Sequence, residues 1–308
     1  MTDSATIRLR PNRTSTPMRR VLKRMHRTVN IWFGSVILVV VVFLAVFAPV
    51  VSSYNPLLVT PADRMKPPGA QHLFGTDDFG RDVFTRVIYG GRLSIEVRLL
   101  SIAVASIAGT LLGIVAGYYG GWVDVLVMRL IDLMLAFPSI LLALAIVAIL
   151  GRSLPNVMLA VGVATIPVYT RIVRASTLSA KQMDYVLSAH AIGCSSGRIM
   201  LRHILPNILA PIIVITTNGI AGAIVAGAAL SFLGLGAQPP TPEWGIMLSD
   251  GRQFLRSASW ITTFPGLAIM LTVLAINLLG DGLRDVLDPT YVYKLNVYRK
   301  RLWLNSIS

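Results

Sequence analysis

Hydrophobic residues lie along the chain in long uncharged runs that are separated by shorter polar stretches. A helix needs about 20 apolar residues to cross the hydrocarbon core of a membrane. One run is longer than a single crossing requires, and we expect it to continue into a loop near Pro239 and Pro240. The pattern predicts an all-α, polytopic membrane protein with six transmembrane helices. The runs are residues 31–51, 99–117, 133–150, 153–170, 208–241 and 261–280.

Small residues recur every four positions in the second and fifth runs. This spacing places them on one helix face and lets another helix approach closely. The neighbour is either a helix of this chain or a helix of a partner subunit. Pro138 and Pro167 lie inside two other runs, where each removes a backbone hydrogen bond and predicts a kink. The small residues are Gly109, Gly113 and Gly117, and Gly219, Ala223 and Gly227.

Charge predicts how the chain sits in the membrane. Charged residues make up 14% of the 308, against about 25% in ordinary soluble domains. The net charge of +14 comes from basic residues beside the runs, so membrane orientation explains it better than nucleic-acid binding does. The positive-inside rule places the basic tail 1–30 in the cytoplasm. Six crossings then return the tail 291–308 to the same side.

The same count of crossings divides the chain into segments on alternate sides of the membrane. The first run lacks a small-residue cleavage site and is expected to be a retained helix, residues 31–51. An extracytoplasmic segment, residues 52–93, follows it. Residues 94–290 form a five-helix core that includes a cytoplasmic loop, residues 174–206. At the edges of the runs, Asp132 is expected to pair with Arg129 one turn away, and Arg98 to reach the outer interface.

The chain lacks the sequence signatures of several chemistries. It contains no Gly-x-x-x-x-Gly-Lys-Ser/Thr loop for a nucleotide, its four histidines are dispersed, and Cys194 is its one cysteine. We therefore expect neither an enzyme nor a chain that binds a metal or cofactor itself. The runs also lack the scattered acidic and histidine relay of a proton-coupled carrier.

The loop between the fourth and fifth runs is the most informative segment. It is basic, rich in helix-forming and small residues, and expected to end at Pro206, which predicts a docking surface for a soluble partner. Its spacing resembles the coupling loop of ABC importer permeases: Glu-Ala-Ala, three residues, Gly, nine residues, then Ile-x-Leu-Pro. Leu187 and Ser188 depart from the first two positions. The residues assigned to this ATPase-coupling loop are Asp184, Leu187, Ser188, Ala189, Gly193, Arg198, Arg202, Leu205 and Pro206.

Three further motifs narrow the resemblance. Residues 74–82, 231–245 and 277–289 look like the second permease of dipeptide, oligopeptide and nickel importers. The resemblance covers roughly residues 30–290 and implies a type I importer permease fold in a bacterial plasma membrane. It also implies a homologous permease, two ATPase subunits that hold ATP and Mg, and an extracytoplasmic substrate-binding protein as partners.

The resemblance leaves two points open. The external segments are either landing surfaces for the binding protein or a packed cap without direct contact. Peptides, dipeptides first, are the expected substrate, with glutathione and nickel chelates as alternatives; a self-contained secondary carrier or a membrane scaffold is the alternative of another class. The candidate binding-protein contacts are Asp77, Arg81, Asp82, Glu243 and Trp244.

Overall fold

The computed structural model describes residues 29–287, and this part of the chain is almost entirely helical. Within it, the only β pairing is an isolated bridge between Thr76 and Asp82. The predicted tails lie outside these residues, except for the first two positions of α1. The helices are α1 (Val29–Val46), α2 (Ala48–Val51), α3 (Val83–Tyr119), α4 (Gly121–Leu135), α5 (Ser139–Leu150), α6 (Leu154–Lys181), α7 (Asp184–Ala191), α8 (Ser196–Arg198), α9 (Leu209–Phe232), α10 (Trp244–Gly251) and α11 (Trp260–Leu287).

Helices α3 and α6 pack closely at the centre of the bundle. A Cβ built on Gly109 would lie 2.4 Å from the Cβ of Tyr169, and one on Gly113 would lie 2.7 Å from the Cβ of Val173. Gly117 faces Thr177 in the same way. The glycine repeat of α3 therefore faces a helix of its own chain. Residue numbers rise together along both helices, so α3 and α6 run parallel.

Because α3 and α6 are parallel, the path of the chain through the third run is constrained. The chain must return across the bundle between α3 and α6, and only α4 and α5 are available to do so. The two helices are bent by 90° relative to each other. The third run is therefore not one continuous helix: it breaks where a kink at Pro138 was predicted, because Pro138 has no N–H to donate and precedes α5 as its N-cap. Pro167, in contrast, lies inside the continuous helix α6.

The remaining helices pack around this centre. Gly219 of α9 lies against the hydroxyl of Tyr169, and Gly280 of α11 lies against Asn218 of α9. Gly34 of α1 approaches the backbone oxygen of Ala275 in α11. With the bent pair counted as one span, the described residues provide six candidate crossings. We call the end that holds residues 52–82 and α10 the cap end, and the end that holds α7 the loop end.

Two helix limits differ from the predicted segments. Helix α3 begins at Val83, inside the predicted segment 52–93, because the Asp82 carboxylate accepts a hydrogen bond from the Thr85 N–H at 2.8 Å and caps the helix. Pro206 does not end the loop segment. The chain stays helical from Ser196 to Phe232 by passing through a π-helical turn, Ile199–Ile204, and a 3₁₀ turn, Leu205–Ile208. These turns change the hydrogen-bonding pattern where Pro206 lacks an N–H.

Candidate coupling surface and cap

Helix α7 is held on the loop end by one apolar face. Val186 and Ala189 are 2% and 4% exposed, and their spacing places both on the same side of the helix. They pack in a cluster with residues of α3, α6 and the Ser196–Phe232 helix. The other members of this cluster include Ile114, Tyr118, Val173, Ala180, Ile199 and Ile204.

The rest of α7 and its two flanks are exposed, and four of the exposed side chains there are large and apolar. Leu187 is 56% exposed and Ile192, just beyond the helix, is 80% exposed, and Met183 and Tyr185 flank them. We call these four residues the α7 surface. Clustered exposed apolar residues outside the membrane-spanning runs indicate an interaction site. At the position where the resembled family carries an acidic residue, this surface therefore offers an apolar side chain.

The end of α7 depends on Gly193. This residue has φ +79°, its N–H donates to the His190 carbonyl, and the N–H of Cys194 donates to the Ala189 carbonyl, both at 3.0 Å. These are the two hydrogen bonds of a Schellman cap, which needs a residue in the left-handed region. A Cβ on Gly193 would meet no atom of the described chain within 4 Å. Within this chain, the glycine is required by its backbone angle and not by a close contact.

The other predicted loop residues surround this surface. Asp184 and Ser188 are exposed on α7, and Arg198, Arg202 and Pro206 are exposed on the helical segment that follows. Leu205 is half-buried against the cluster that anchors α7. An open groove lies beside α7 and was not anticipated from the sequence. Its lining residues are Ser176, Ser179, Ala180, Met183, Tyr185, Asn207, Ile208 and Pro211.

At the cap end, the first three candidate contacts are buried. Asp77 accepts hydrogen bonds from Arg81 Nε at 2.6 Å and from the Arg81 N–H at 2.9 Å. His72 Nδ1 lies 2.9 Å from the carboxylate of Asp82, which also caps α3. Asp77, Arg81 and Asp82 are each 5% exposed or less. Their side chains hold the cap together from within, as in the alternative of a packed cap, and direct contact with a binding protein stays a prediction.

Glu243 and Trp244 are buried as well, at the start of α10. Glu243 is fully buried, and its carboxylate accepts a hydrogen bond from Nη2 of Arg98 at 3.0 Å. The Trp244 indole N–H donates to the carbonyl of Val87 in α3 at 2.8 Å. Arg98 is 1% exposed, so the expectation that it reaches the outer interface is wrong. Its partner lies 145 residues away in the sequence, which sequence spacing could not show.

Two further carboxylates lie beside this cap in a small cavity. Burial raises the pKa of Asp250 above its usual value, and Arg86 opposes the shift. Burial raises the pKa of Asp78 too, and the neighbouring Asp77 adds to the effect. The cavity is lined by these groups together with Arg81 and residues of α10 and α11. The cap thus contains a dense set of interacting charges.

Ion pairs tie the bent pair to α6. Both Nε and Nη2 of Arg174 donate to the carboxylate of Asp124. Nη2 of Arg171 donates to Asp132 at 2.6 Å. The predicted Asp132–Arg129 pair is therefore not formed, because α4 turns Asp132 towards α6. Bidentate arginine–carboxylate contacts fix orientation as well as distance, so α4 is held against the loop end of α6.

The described residues offer no alternative site for metal chemistry. In residues 29–287, no group of three or more histidine, cysteine, aspartate or glutamate side chains is placed to hold a metal ion. The surfaces that remain are the α7 surface at one end of the bundle and the cap at the other. This arrangement is typical of a membrane subunit that works between two soluble partners.

Comparison with known proteins agrees with this class. Residues 109–293 match the family described as the binding-protein-dependent transport system inner membrane component. Residues 16–68 match the N-terminal transmembrane domain of oligopeptide transport permease C. The chain therefore belongs to the binding-protein-dependent permease family of ABC importers, and its type I permease fold is confirmed.

Individual relatives extend over most of the chain. It is 51% identical to the dipeptide transport system permease protein DppC of Alkalihalophilus pseudofirmus, covering 89% of this chain and 90% of that protein. It is 46% identical to the di/tripeptide transport system permease protein DppC of Pseudomonas aeruginosa, covering 83% and 86%. It is 44% identical to the glutathione transport system permease protein GsiD of Escherichia coli, covering 91% and 93%.

Membership in this family has direct consequences. The protein is a multi-pass membrane permease, and permeases of this family work with an ATPase and a substrate-binding protein. ATP hydrolysis takes place on the separate ATPase subunits, so this chain is a transport subunit and not an enzyme. The self-contained carrier considered from the sequence does not agree with a binding-protein-dependent system.

Proposed function

We propose that this chain is one of two permeases in an ATP-driven importer of short peptides, dipeptides first. The observation that supports it is the α7 surface, four exposed apolar residues at a helix anchored to α3 and α6. A homologous permease completes the translocation path, and two ATPase subunits dock at the loop end. The substrate-binding protein delivers its ligand at the cap end.

The proposed orientation places the loop end in the cytoplasm and the cap outside. It follows from the basic residues of the loop, among them Arg198 and Arg202, and from the positive-inside rule. Both tails would then be cytoplasmic, in the bacterial plasma membrane. ATP and Mg would bind to the ATPase subunits, and this chain would bind no cofactor of its own.

The same placement gives a mechanism for coupling. Closure of the ATPase dimer on ATP moves α7, and the cluster of Val186 and Ala189 transmits that movement to α3 and α6. Because α3 and α6 are packed through glycines without space between them, they move as one body. The ATPase supplies the free energy through contacts that differ between the inward-open and outward-open states.

Reconstitution tests this function. The chain would be purified with its homologous permease and ATPases, placed in proteoliposomes, and supplied with the binding protein and a labelled dipeptide. We expect uptake that requires both ATP and the binding protein. Uptake that continues without either of them would contradict the proposal.

Glutathione is the second candidate, because one relative with 44% identity is named as a glutathione permease. Competition in the same assay separates the two. Unlabelled dipeptide is expected to suppress uptake of the labelled dipeptide while glutathione leaves it unchanged. Uptake of labelled glutathione in place of the labelled dipeptide would assign glutathione as the substrate.

A further inference from the structure

The junction between the cap and the spans contains a buried ion pair. Arg98 of α3 and Glu243 at the start of α10 are each 1% exposed in their side chains, and Nη2 of Arg98 lies 3.0 Å from the Glu243 carboxylate. Arg98 lies about four turns below the start of α3 at Val83, beside the fifth span. A charge in such a position needs a functional explanation by default.

The pair joins three helices. One Glu243 oxygen accepts the hydrogen bond from Arg98, and the other caps α10 by accepting from the Ile246 N–H at 3.1 Å. The Arg98 side chain lies so close to Gly227 of α9 that a Cβ there would be 2.1 Å from Nε. One carboxylate and one guanidinium therefore connect α3, α9 and the start of α10.

A second set of contacts holds α10 on the same part of α3. The Trp244 N–H donates to the Ser94 hydroxyl at 3.3 Å, and the Trp244 indole contacts Gly91. A Cβ on Gly90 would lie 2.7 Å from the carbonyl oxygen of Pro242. The segment that leads into α10 thus has no freedom to slide along α3 while the pair is intact.

Some buried polar atoms at this junction make no hydrogen bond within the described residues. Nε and Nη1 of Arg98 and the hydroxyl of Ser231 are buried and have no partner within the described residues. Ser231 lies one helical turn beyond Gly227 on α9, the same face that meets Arg98. The free energy needed to remove two charges from water offsets much of their attraction for each other. Apolar residues of similar volume at the same positions often stabilise a protein equally well. Stability alone therefore does not explain why charges occupy this position.

We propose that Arg98 and Glu243 form a positioning pair for transport, which makes α10 move together with the spans α3 and α9. Docking of the binding protein on the cap then changes the arrangement of the spans, and the ATPases respond at the far end. The two unpartnered donors of Arg98 give the pair a second arrangement to adopt when the spans move. The inference rests on the proposed function, because it requires a binding protein at the cap end.

The test removes both charges and keeps the volume. The variant Arg98→Met/Glu243→Gln retains a side-chain oxygen that can cap Ile246. A matched control, Arg92→Met/Glu96→Gln, removes one basic and one acidic side chain from exposed positions of the same helix. Each complex, with both permeases and its ATPases, would be reconstituted, and ATPase activity measured with and without the loaded binding protein.

We expect the double variant to assemble and to keep its basal ATPase activity. Its stimulation by the loaded binding protein should fall about tenfold, as expected for loss of coupling between sites, while the control keeps full stimulation. Wild-type stimulation in the double variant would show that the pair is only structural and would overturn the inference. If the double variant does not assemble, Glu243→Gln alone is measured in the same way, and full stimulation of that variant would equally overturn it.

Failure of the proposed function would look different. In that case the wild-type complex itself would show no stimulation by the binding protein, or no ATPases would be present in it. Loss of stimulation confined to variants of the pair therefore reports on the pair. Loss in the wild type reports on the function.

Discussion

At the scale of single residues, backbone angle and hydrogen bonding explain why particular residues matter. Gly193 adopts φ +79° to complete the cap of α7, and Asp82 combines the N-cap of α3 with its contact to His72. Both residues could be singled out from motifs in the sequence. Their roles could not, because a left-handed angle and a buried carboxylate depend on contacts that form only in the fold.

The effect of a substitution at Gly193 should depend on how readily the new residue adopts a left-handed backbone angle. Alanine or arginine would strain the backbone by about 1–2 kcal/mol, whereas asparagine adopts this angle more readily. We expect Gly193→Ala and Gly193→Arg to reduce ATP-dependent uptake and Gly193→Asn to keep most of it. The measurement is uptake in proteoliposomes at matched protein content. Unchanged uptake by Gly193→Arg would contradict the assignment of the coupling loop.

Substitutions at Asp82 should separate capping from charge. Asp82→Ala removes the acceptor for the Thr85 N–H and should destabilise the protein by about 1–2 kcal/mol. Asp82→Asn keeps a capping oxygen and should lie closer to the wild type. Thermal unfolding of the purified chain in detergent measures both. Equal melting temperatures for Asp82→Ala and the wild type would show that the N-cap hydrogen bond of Asp82 does not stabilise α3.

At the scale of helices, the apolar pattern predicts which elements exist better than where they end. Five of the six predicted runs correspond to long helices, but α3 and α6 extend beyond their uncharged cores to Val83 and Lys181. The charges of α3 did not end the helix because Arg86 and Arg98 are buried in ion pairs and Arg92 and Glu96 are exposed on its surface. The third run breaks at Pro138, and periodicity alone cannot distinguish a kinked helix from two helices at a right angle.

The packing of α3 on α6 gives a prediction for two glycine substitutions, one at a packed position and one at an open position. Gly113→Ala would place a Cβ 2.7 Å from that of Val173 and 2.8 Å from the Thr170 carbonyl oxygen. We expect a loss of about 1–3 kcal/mol, the usual effect of overpacking. Gly222→Ala is the matched control, because its Cβ would meet nothing within 4 Å. Its stability, measured by thermal unfolding of the chain, should equal or slightly exceed that of the wild type; a loss as large as that of Gly113→Ala would refute the packing argument.

At the scale of the whole molecule, the bundle separates two surfaces. The cap packs on the first turns of α3 and α11, and α7 packs on the opposite end of α3 and on α6. The sequence resemblance singled out both regions, and the apolar runs predicted the spans between them. It did not predict that the candidate cap contacts would be buried, because pairs such as Arg98 and Glu243 come from distant parts of the chain.

The central claim is that this permease engages its ATPases through the α7 surface. Affinity purification of the tagged chain in mild detergent, with mass spectrometry of the proteins that accompany it, tests it most directly. The wild type and the control Leu255→Asp, an exposed leucine at the cap end, should bring down a second permease and P-loop ATPases. Met183→Asp/Ile192→Asp, at two exposed positions of the α7 surface, should keep the permease and lose the ATPases. Recovery of ATPases with that double variant, or of the chain alone with transport activity of its own, would contradict the account.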